Sequence, residues 1–504
     1  MGGATGPGGH GSRGGQHRQG DPASATGAAA GSPGAGAASG AGGPLDPGVL
    51  LHDPKYVALL VAGAVLGVPV AAVSLLFLKA VALSQHYLFA TLPHQTGFPT
   101  EPAWWPLPVL MVSGLVVAAS IRYLPGTSGH SPADGFHPAG AIPPLELPGI
   151  VVAAFVTLAA GVVLGPEAPL IAIGSGLGVL AVRLAGSGGA PLASMVVGAA
   201  GSFAAVSTLL GSPIVGAFLL LEAAGLGGAI AGVLLLPGLL AAGIGALLFT
   251  GLGHWTGFGT LALAVPHIPH AGSPDAAEFG WAVAIGMAAA VGGAGIRRLA
   301  VAARGVVAAR PLLLTPLAGA LVALAAMVFA GATGRGSGEV LFSGQTALPS
   351  LIEQAGTWTA GALVVLLVCK GLAYAVALSS FRGGPIFPGM FLGAVGGMAL
   401  SHLAGLPMIA GVAMGIGAMT TAMLGGLPLT SVLLVTLFLV SDGLDLMPLV
   451  IVAVVVSYTA SARLAPTPAA VTAAVTAGAA PVTEGAAPAG GTADGSSGSG
   501  AEGG

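Results

Sequence analysis

Residues 159–178, AAGVVLGPEAPLIAIGSGLG, place one carboxylate, Glu167, between two prolines inside an apolar run. Proline fixes φ and suits the first turn of a helix, and the glycine before Pro166 interrupts whatever precedes it. A helix start exposes unpaired N–H groups and a partial positive charge. The stretch therefore predicts a helix tip able to bind an anion, with an acid attached to that tip.

The surrounding chain has the composition of a membrane protein. Of its 504 residues, 55% are hydrophobic and only 6% are charged, whereas a soluble domain carries about a quarter charged residues. The net charge of −3 gives no indication of nucleic-acid binding. We predict an all-α polytopic membrane protein, since the short alternating segments of a β-barrel are not seen. Apolar runs of about span length occur at 57–78, 106–121, 147–164, 191–210, 228–250, 312–331, 358–379 and 446–460.

The decisive stretch is repeated in the second part of the chain. GPEAPLIAIGSGLG from Gly165 and GPIFPGMFLGAVGG from Gly384 share the pattern G-P-x-x-P-x-x-x-x-G-x-x-x-G without a gap. Downstream, LLGSPIVGAFLLLE matches MLGGLPLTSVLLVT, which pairs Pro213 with Pro428. We predict two homologous halves. The predicted organisation is a disordered tail at 1–46, a first membrane repeat at 47–250, a linker at 251–277, a second repeat at 278–464 and a disordered tail at 465–504.

Charge placement indicates that the two halves are inverted. Residues 80–121, after the first span of half one, contain no Lys or Arg. Four arginines follow the first span of half two, and they predict a cytoplasmic loop there: Arg297, Arg298, Arg304 and Arg310. Inverted repeats with Gly/Pro-interrupted helices are typical of secondary transporters, with the binding site between the repeats. Two helix tips, Gly165–Pro166 and Gly384–Pro385, would form that site; the alternative is that each stretch is only a packing kink.

Glu167 is not needed by the repeat, because Ile386 takes its place in half two. A carboxylate within a bilayer is costly and indicates function. We interpret Glu167 as a tethered competitor for the anion site, which protonation would release. The alternative is an acid that merely caps a helix near the surface.

A third polar stretch, PGTSGHSPADGFHP at 125–138, interrupts the spans. Ser128 offers a hydroxyl to an anion, and the N–H of Gly129 offers a second donor. Capping of a short helix by Ser128 or Ser131 explains the serines almost as well. His130 and His137 have no third ligand at suitable spacing, so we predict no metal site.

Taken together, TSGHSP, GPEAP and GPIFP resemble the three anion-binding stretches of the CLC family of chloride channels and chloride/proton exchangers, including its voltage-gated channels. The resemblance covers residues 50–463. It implies that Ser128 is the central serine, that Glu167 is the gating glutamate, and that the amides of Ile386 and Phe387 are donors. It also implies a homodimer in a bacterial inner membrane with cytoplasmic tails, using chloride as substrate, protons as a second partner and no cofactor.

Several positions depart from the family pattern. Ala168 replaces a usual glycine, and Pro166 replaces a usual basic residue. The inner proton-relay position falls on Ala223, and Glu222 lies one residue before it, about 100° away around a helix. No tyrosine follows the last span, and Tyr458 lies inside it. Channel and exchanger therefore both stay open, as does a transporter of another small anion such as fluoride or a carboxylate. An enzyme is not expected, because only Glu146 and Asp134 are acids near Glu167 in the sequence.

Overall fold

The computed structural model describes residues 51–136, 140–186, 190–225, 228–256, 274–439 and 444–465, except the side chains of 228–230 and 248–256. Both predicted tails lie outside these residues, apart from Ala465 at the edge of the second. The predicted linker is described only at its ends. There, a helix continues to Thr256 and the next begins at Ala276. The boundaries of the two halves stay predictions.

The described residues form an almost entirely helical structure. The α-helices are α1 Pro54–His86, α2 Leu92–Gln95, α3 Pro106–Tyr123, α4 Leu147–Ala159, α5 Glu167–Leu184, α6 Pro191–Leu210, α7 Pro213–Ala223, α8 Gly228–Thr256, α9 Ala276–Ala309, α10 Pro311–Thr333, α11 Ala347–Glu353, α12 Ala360–Ser380, α13 Ile386–Leu400, α14 Met408–Leu424, α15 Pro428–Leu439 and α16 Met447–Leu464. A π-helical turn joins α1 to α2, and short 3₁₀ turns occupy Pro125–Ser128, Pro132–Asp134, Pro144–Glu146, Ser337–Glu339 and Ala355–Thr357.

Helix starts follow the local signals in the sequence. The pair Asp53–Pro54 predicts an N-cap followed by the first helical residue. The structure confirms both: the amide of Lys55 donates to Asp53 Oδ1 over 2.9 Å, and Pro54 begins the helix. Ser212 similarly accepts from the amide of Val215 before α7. Proline at N1 or N2 recurs because the missing N–H costs nothing there.

Among the described residues, eight helical segments are long and apolar enough to cross a bilayer: Pro54–Gln95, Pro106–Tyr123, Glu167–Leu184, Pro191–Leu210, Ala276–Ala309, Pro311–Thr333, Ala360–Ser380 and Met447–Leu464. The polytopic prediction is confirmed, but two assignments need correction. The run at 147–164 gives a helix of only 13 residues that ends at Ala159, because Gly161 turns the chain with φ 81°. The spans α5 and α9 are absent from the predicted runs, although their mean hydropathy equals that of α3 and α6, which were predicted. Arg297, Arg298 and Arg304, which were predicted in a loop, lie within α9.

The two halves repeat the same helix order. In half one, α4, α5, α6 and α7 follow one another as α12, α13, α14 and α15 do in half two. A Cβ on Gly174 would lie 2.6 Å from the carbonyl carbon of Gly201, and one on Gly393 would lie 2.6 Å from that of Gly415. The repeated glycines thus allow α5 to pack on α6, and α13 on α14, at backbone contact. The halves form an inverted-repeat fold, and their central pairing is antiparallel.

Candidate functional site

The two proline-led helix tips meet at the centre of the fold. The amide of Gly165 donates to the carbonyl of Gly384 over 2.8 Å, and the amide of Gly384 donates back to the carbonyl of Gly165 over 2.6 Å. Pro166 and Pro385 follow as the N-cap residues of α5 and α13. The internal repeat therefore brings both helix N-termini to one place, where unpaired N–H groups favour negative charge.

Glu167 reaches across this junction to the other half. It is the first residue of α5, and its side chain is 0% exposed. The amide of Phe387, in the first turn of α13, donates to Glu167 Oε1 over 2.8 Å. Glu167 Oε2 has no hydrogen-bond partner among the described residues. The carboxylate thus occupies the tip of α13 as a bound anion would, and one of its oxygens is left unpaired.

The glycines of both tips make room for this carboxylate. A Cβ on Gly384 would lie 3.0 Å from Glu167 Cβ and 2.7 Å from Glu167 Cδ. The side chain of Glu167 also lies against Gly165. Glycine at these two positions therefore leaves space for the Glu167 side chain, besides allowing the two helix tips to pair. Ile386, the other predicted amide donor, begins α13 and is fully buried beside Phe387.

Tyr374 supports the second tip and was missed by sequence reasoning. It lies on α12 with 0% exposure, and its hydroxyl donates to the carbonyl of Pro385 over 2.8 Å. That bond fixes the residue from which α13 starts. A tyrosine inside an apolar span was the available signal, because a buried hydroxyl needs a partner.

The Ser128 loop is held in a strained conformation. Thr127 and Ser128 have φ of 50° and 57°, values that cost energy for residues with side chains. Ser128 is 1% exposed, and its Oγ lies 2.8 Å from Ser120 Oγ. Ser120 Oγ also donates to the carbonyl of Gly149 over 3.3 Å. Ser120, one of two serines on helix α3, is a second residue that sequence reasoning missed.

Other predicted residues of this loop have local partners or lie elsewhere. The amide of Gly129 donates to the carbonyl of Gly126 over 3.0 Å, so donation to an anion would require that bond to open. Ser131 precedes the turn Pro132–Asp134 but makes no capping bond. His137 lies outside the described residues. Within the described ranges, no three His, Cys, Asp or Glu side chains are grouped to hold a metal.

A cavity of about 530 Å³ lies under the junction. The Ser128 loop forms one wall of the cavity, and Ala168 and Pro169 of α5 form another. Arg382 and Gly383 line it from the segment between α12 and α13. Arg382 Nη2 donates to the carbonyl of Thr127 over 3.4 Å, so this arginine joins the Ser128 loop of half one to half two. The cavity thus borders both halves next to the predicted site residues.

Glu222 and Tyr458 lie in other surroundings. Glu222 accepts from the amides of Leu429 and Thr430 over 3.0 and 2.7 Å, and from the Thr430 hydroxyl over 2.6 Å. Its carboxylate thus caps the start of α15. Tyr458 lies on α16, is 42% exposed and packs beside Gly426. These contacts do not test a proton path through Glu222, which stays a prediction, and no inner gate is assigned to Tyr458.

A buried acid on paired helix tips, within two inverted helical repeats, is an arrangement typical of membrane transport proteins. A family model described as "Voltage gated chloride channel" matches residues 114–462. This chain therefore belongs to that family, the CLC family, whose members are channels and transporters.

Curated relatives and solved structures agree with this assignment. The putative ion-transport protein YfeO of Escherichia coli (strain K12 / DH10B) is 26% identical over 383 residues, covering 71% of this chain and 83% of that protein. YfeO of Shigella boydii serotype 4 (strain Sb227) gives the same values. A slow cyanobacterial Cl⁻/H⁺ antiporter has TM-score 0.65 at 18% identity, covering 83% of this chain and 97% of that one. A CLC-type fluoride/proton antiporter has TM-score 0.62 at 19% identity, covering 82% and 98%. At these identities the structures support the fold.

Proposed function

We propose that this protein carries chloride across the membrane through a pathway that Glu167 gates. The observation that carries the proposal is the hydrogen bond from the Phe387 amide to Glu167 Oε1, 2.8 Å long. A carboxylate held by a helix-tip amide occupies the position that a free anion would take. Protonation of Glu167 removes its charge and weakens that bond, so the side chain can leave and an anion can enter.

The proposed anion contacts come from three stretches. The Phe387 and Ile386 amides at the start of α13 and the tip of α5 supply N–H donors. The Ser128 hydroxyl supplies a third contact from the cavity side, provided that its hydrogen turns away from Ser120. Neutral donors suit a weakly hydrated halide, because they supply partial charges without a fixed ion pair. Membership of the voltage-gated chloride channel family supports the same substrate.

Proton coupling is part of the proposal at Glu167, where the gate takes up a proton. The inner end of a proton path has no acid at the position that the family pattern gives it. Ala223 stands at the relay position of the family pattern, and the Glu222 carboxylate caps α15. Exchange therefore requires protons to reach Glu167 by another route, whereas a passive channel requires none.

A different small anion is the second candidate. The structural similarity to a fluoride/proton antiporter favours fluoride, and a small carboxylate is the further alternative. The remaining expectations are a homodimer and a location in a bacterial inner membrane with both tails cytoplasmic. Those tails lie outside the described residues, and the homodimer is an expectation that the family resemblance implies.

Purified full-length protein in chloride-loaded liposomes tests the proposal. A chloride electrode and a pH electrode should record chloride efflux and, for an exchanger, proton movement in the opposite direction. Fluoride, acetate and nitrate in parallel vesicles measure the preference among anions. Fluoride efflux much faster than chloride efflux would replace chloride by fluoride as the substrate. No efflux of any anion above protein-free vesicles would contradict the proposed function.

A further inference from the structure

The Arg382 guanidinium is partly buried and has no carboxylate partner among the described residues. It lies two residues before Gly384, where Nη1 donates to the carbonyl of Phe381 over 3.2 Å and Nη2 donates to that of Thr127 over 3.4 Å. Its Nε is closed to solvent and has no hydrogen-bond partner among the described residues. No described acid forms an ion pair with it, although Arg304 does pair with Asp134.

Such an arrangement is unfavourable unless an anion completes it. Arginine keeps its charge in proteins, and taking a cation even partly out of water is unfavourable unless opposite charge and hydrogen bonds compensate. The two backbone carbonyls satisfy part of the hydrogen bonding but bring no negative charge. A free anion would supply that charge, and the cavity of about 530 Å³ that Arg382 lines gives it space.

A second unpaired group lies on the same cavity. Ser131 Oγ is buried and has no hydrogen-bond partner among the described residues, although Ser131 lines the cavity together with Arg382. Buried hydroxyls are normally paired. A ligand bound to the guanidinium would provide the acceptor that Ser131 lacks.

The other charged groups of the cavity leave this position open. Asp134 lines the cavity, but Arg304 compensates its charge. Glu146 lies against the backbone of Gly126, and it makes no ion pair with Arg382. His130 is the remaining titratable group on the wall. The compensation that Arg382 needs is thus not supplied from the cavity lining.

We propose that Arg382 and Ser131 form a binding site for a small carboxylate, separate from the Glu167–Phe387 junction. The two bonds to backbone carbonyls hold the guanidinium fork in place, and its free N–H groups can bind two oxygens of one planar anion. A halide makes a single contact and gains less from that geometry. The site rests on the proposed function in one respect: Ser128, a proposed contact of the transported anion, lines the same cavity.

The test compares the intact protein with Arg382→Lys, which keeps the charge but removes the planar fork. The probe is nitrate, which shares the planar oxygens of a carboxylate but does not cross bilayers as a neutral acid. In liposomes, the ratio of nitrate to chloride flux should fall about 10-fold in Arg382→Lys, the loss of one charge-assisted contact. Arg304→Lys is the matched control and should keep the parent ratio. An unchanged ratio in Arg382→Lys would overturn the site.

Binding in detergent separates this proposal from the proposed function. Nitrate and formate should raise the midpoint temperature of unfolding more than chloride at equal concentration, and Arg382→Lys should lose that difference. This result would support the site even if the parent protein carried no anion in liposomes, which would contradict only the proposed function. If Arg382→Lys does not fold, Ser131→Ala takes its place. Equal stabilisation of Ser131→Ala and parent by formate would then overturn the site.

Discussion

The amide of Phe387 donates to Oε1 of Glu167 over 2.8 Å, although the two residues lie 220 positions apart in the chain. The acid belongs to the first half and the amide to the second, so the bond exists only when both halves are assembled. In the proposed function, this one protonatable side chain closes the site that the two helix tips form. Anion flux is therefore expected to depend on pH.

Glu167→Gln should retain anion flux while losing its dependence on pH. Glutamine has nearly the shape of the protonated acid, so the tip of α13 stays open at every pH. Flux measured in liposomes between pH 5 and 8 should be flat in the variant and should rise towards low pH in the parent. Glu146→Gln, which changes an acid of the neighbouring cavity, should keep the parent profile. If flux in Glu167→Gln kept the pH dependence of the parent, Glu167 would not be the gate.

Gly384→Ala should destabilise the junction between the two helix tips. Its new Cβ would lie 2.7 Å from Glu167 Cδ, and such overpacking costs about 1–3 kcal/mol. The midpoint temperature of unfolding and the anion flux should both fall. Gly396→Ala on the same helix α13 is the control, because a Cβ there meets nothing within 4 Å.

The double variant Gly384→Ala/Glu167→Ala identifies the source of that damage. Glu167→Ala removes Oε2 and Cδ, the atoms that the new methyl group meets most closely, and keeps only Cβ at 3.0 Å. The double variant should therefore be more stable than the sum of the single changes predicts. Strict additivity would show that the backbone at Gly384, and not the carboxylate, sets the requirement for glycine.

Tyr374→Phe should weaken the hydrogen bonding that holds the start of α13, without leaving a cavity in the core. The change leaves the buried carbonyl of Pro385 without its donor, which costs about 1–3 kcal/mol. Chloride binding, measured by titration calorimetry in detergent, should weaken several-fold because the start of α13 is less well fixed. Tyr458→Phe removes the hydroxyl of a tyrosine that is 42% exposed and should leave the affinity unchanged. Equal affinity in both variants would show that Pro385 is held by other contacts.

The sequence predicted the features that depend on local physics. Proline-led helix starts, the Asp53 cap and the internal repeat were readable because each uses a few adjacent residues. The pairing of Gly165 with Gly384 followed only as an expectation from symmetry. Tyr374, Ser120 and Arg382 were not found, since each acts through a partner distant in the chain that no spacing rule supplies. The predicted apolar runs omitted α5 and α9, although both helices are as apolar as α3 and α6.

Glu222→Gln should destabilise α15 and leave the flux profile in place. Glu222 accepts three hydrogen bonds at the start of that helix, and the loss of charge at a capping position costs about 1 kcal/mol. Thermal unfolding of the variant should therefore begin at a lower temperature. Chloride efflux that continues while proton movement stops would instead place Glu222 on the proton path.

Glu101 should make the stability of the protein depend on pH. It lies between α2 and α3, where the Ser337 hydroxyl donates to Oε1 over 2.7 Å. Burial raises the pKa of the Glu101 carboxyl above its ordinary value, and the Ser337 bond opposes that rise only in part. The folded protein therefore favours the protonated acid. Its contribution to stability is complete below the ordinary pKa of about 4.3 and is lost as pH rises through the raised value.

Glu101→Gln removes this titration and keeps a side chain of similar size. The midpoint temperature of the parent, relative to that of the variant, should fall between pH 4 and pH 7. Glu353→Gln, at an exposed acid on α11, should show no such trend against the parent. A constant difference between parent and Glu101→Gln across this range would mean that Glu101 ionises equally well in the folded and unfolded chain.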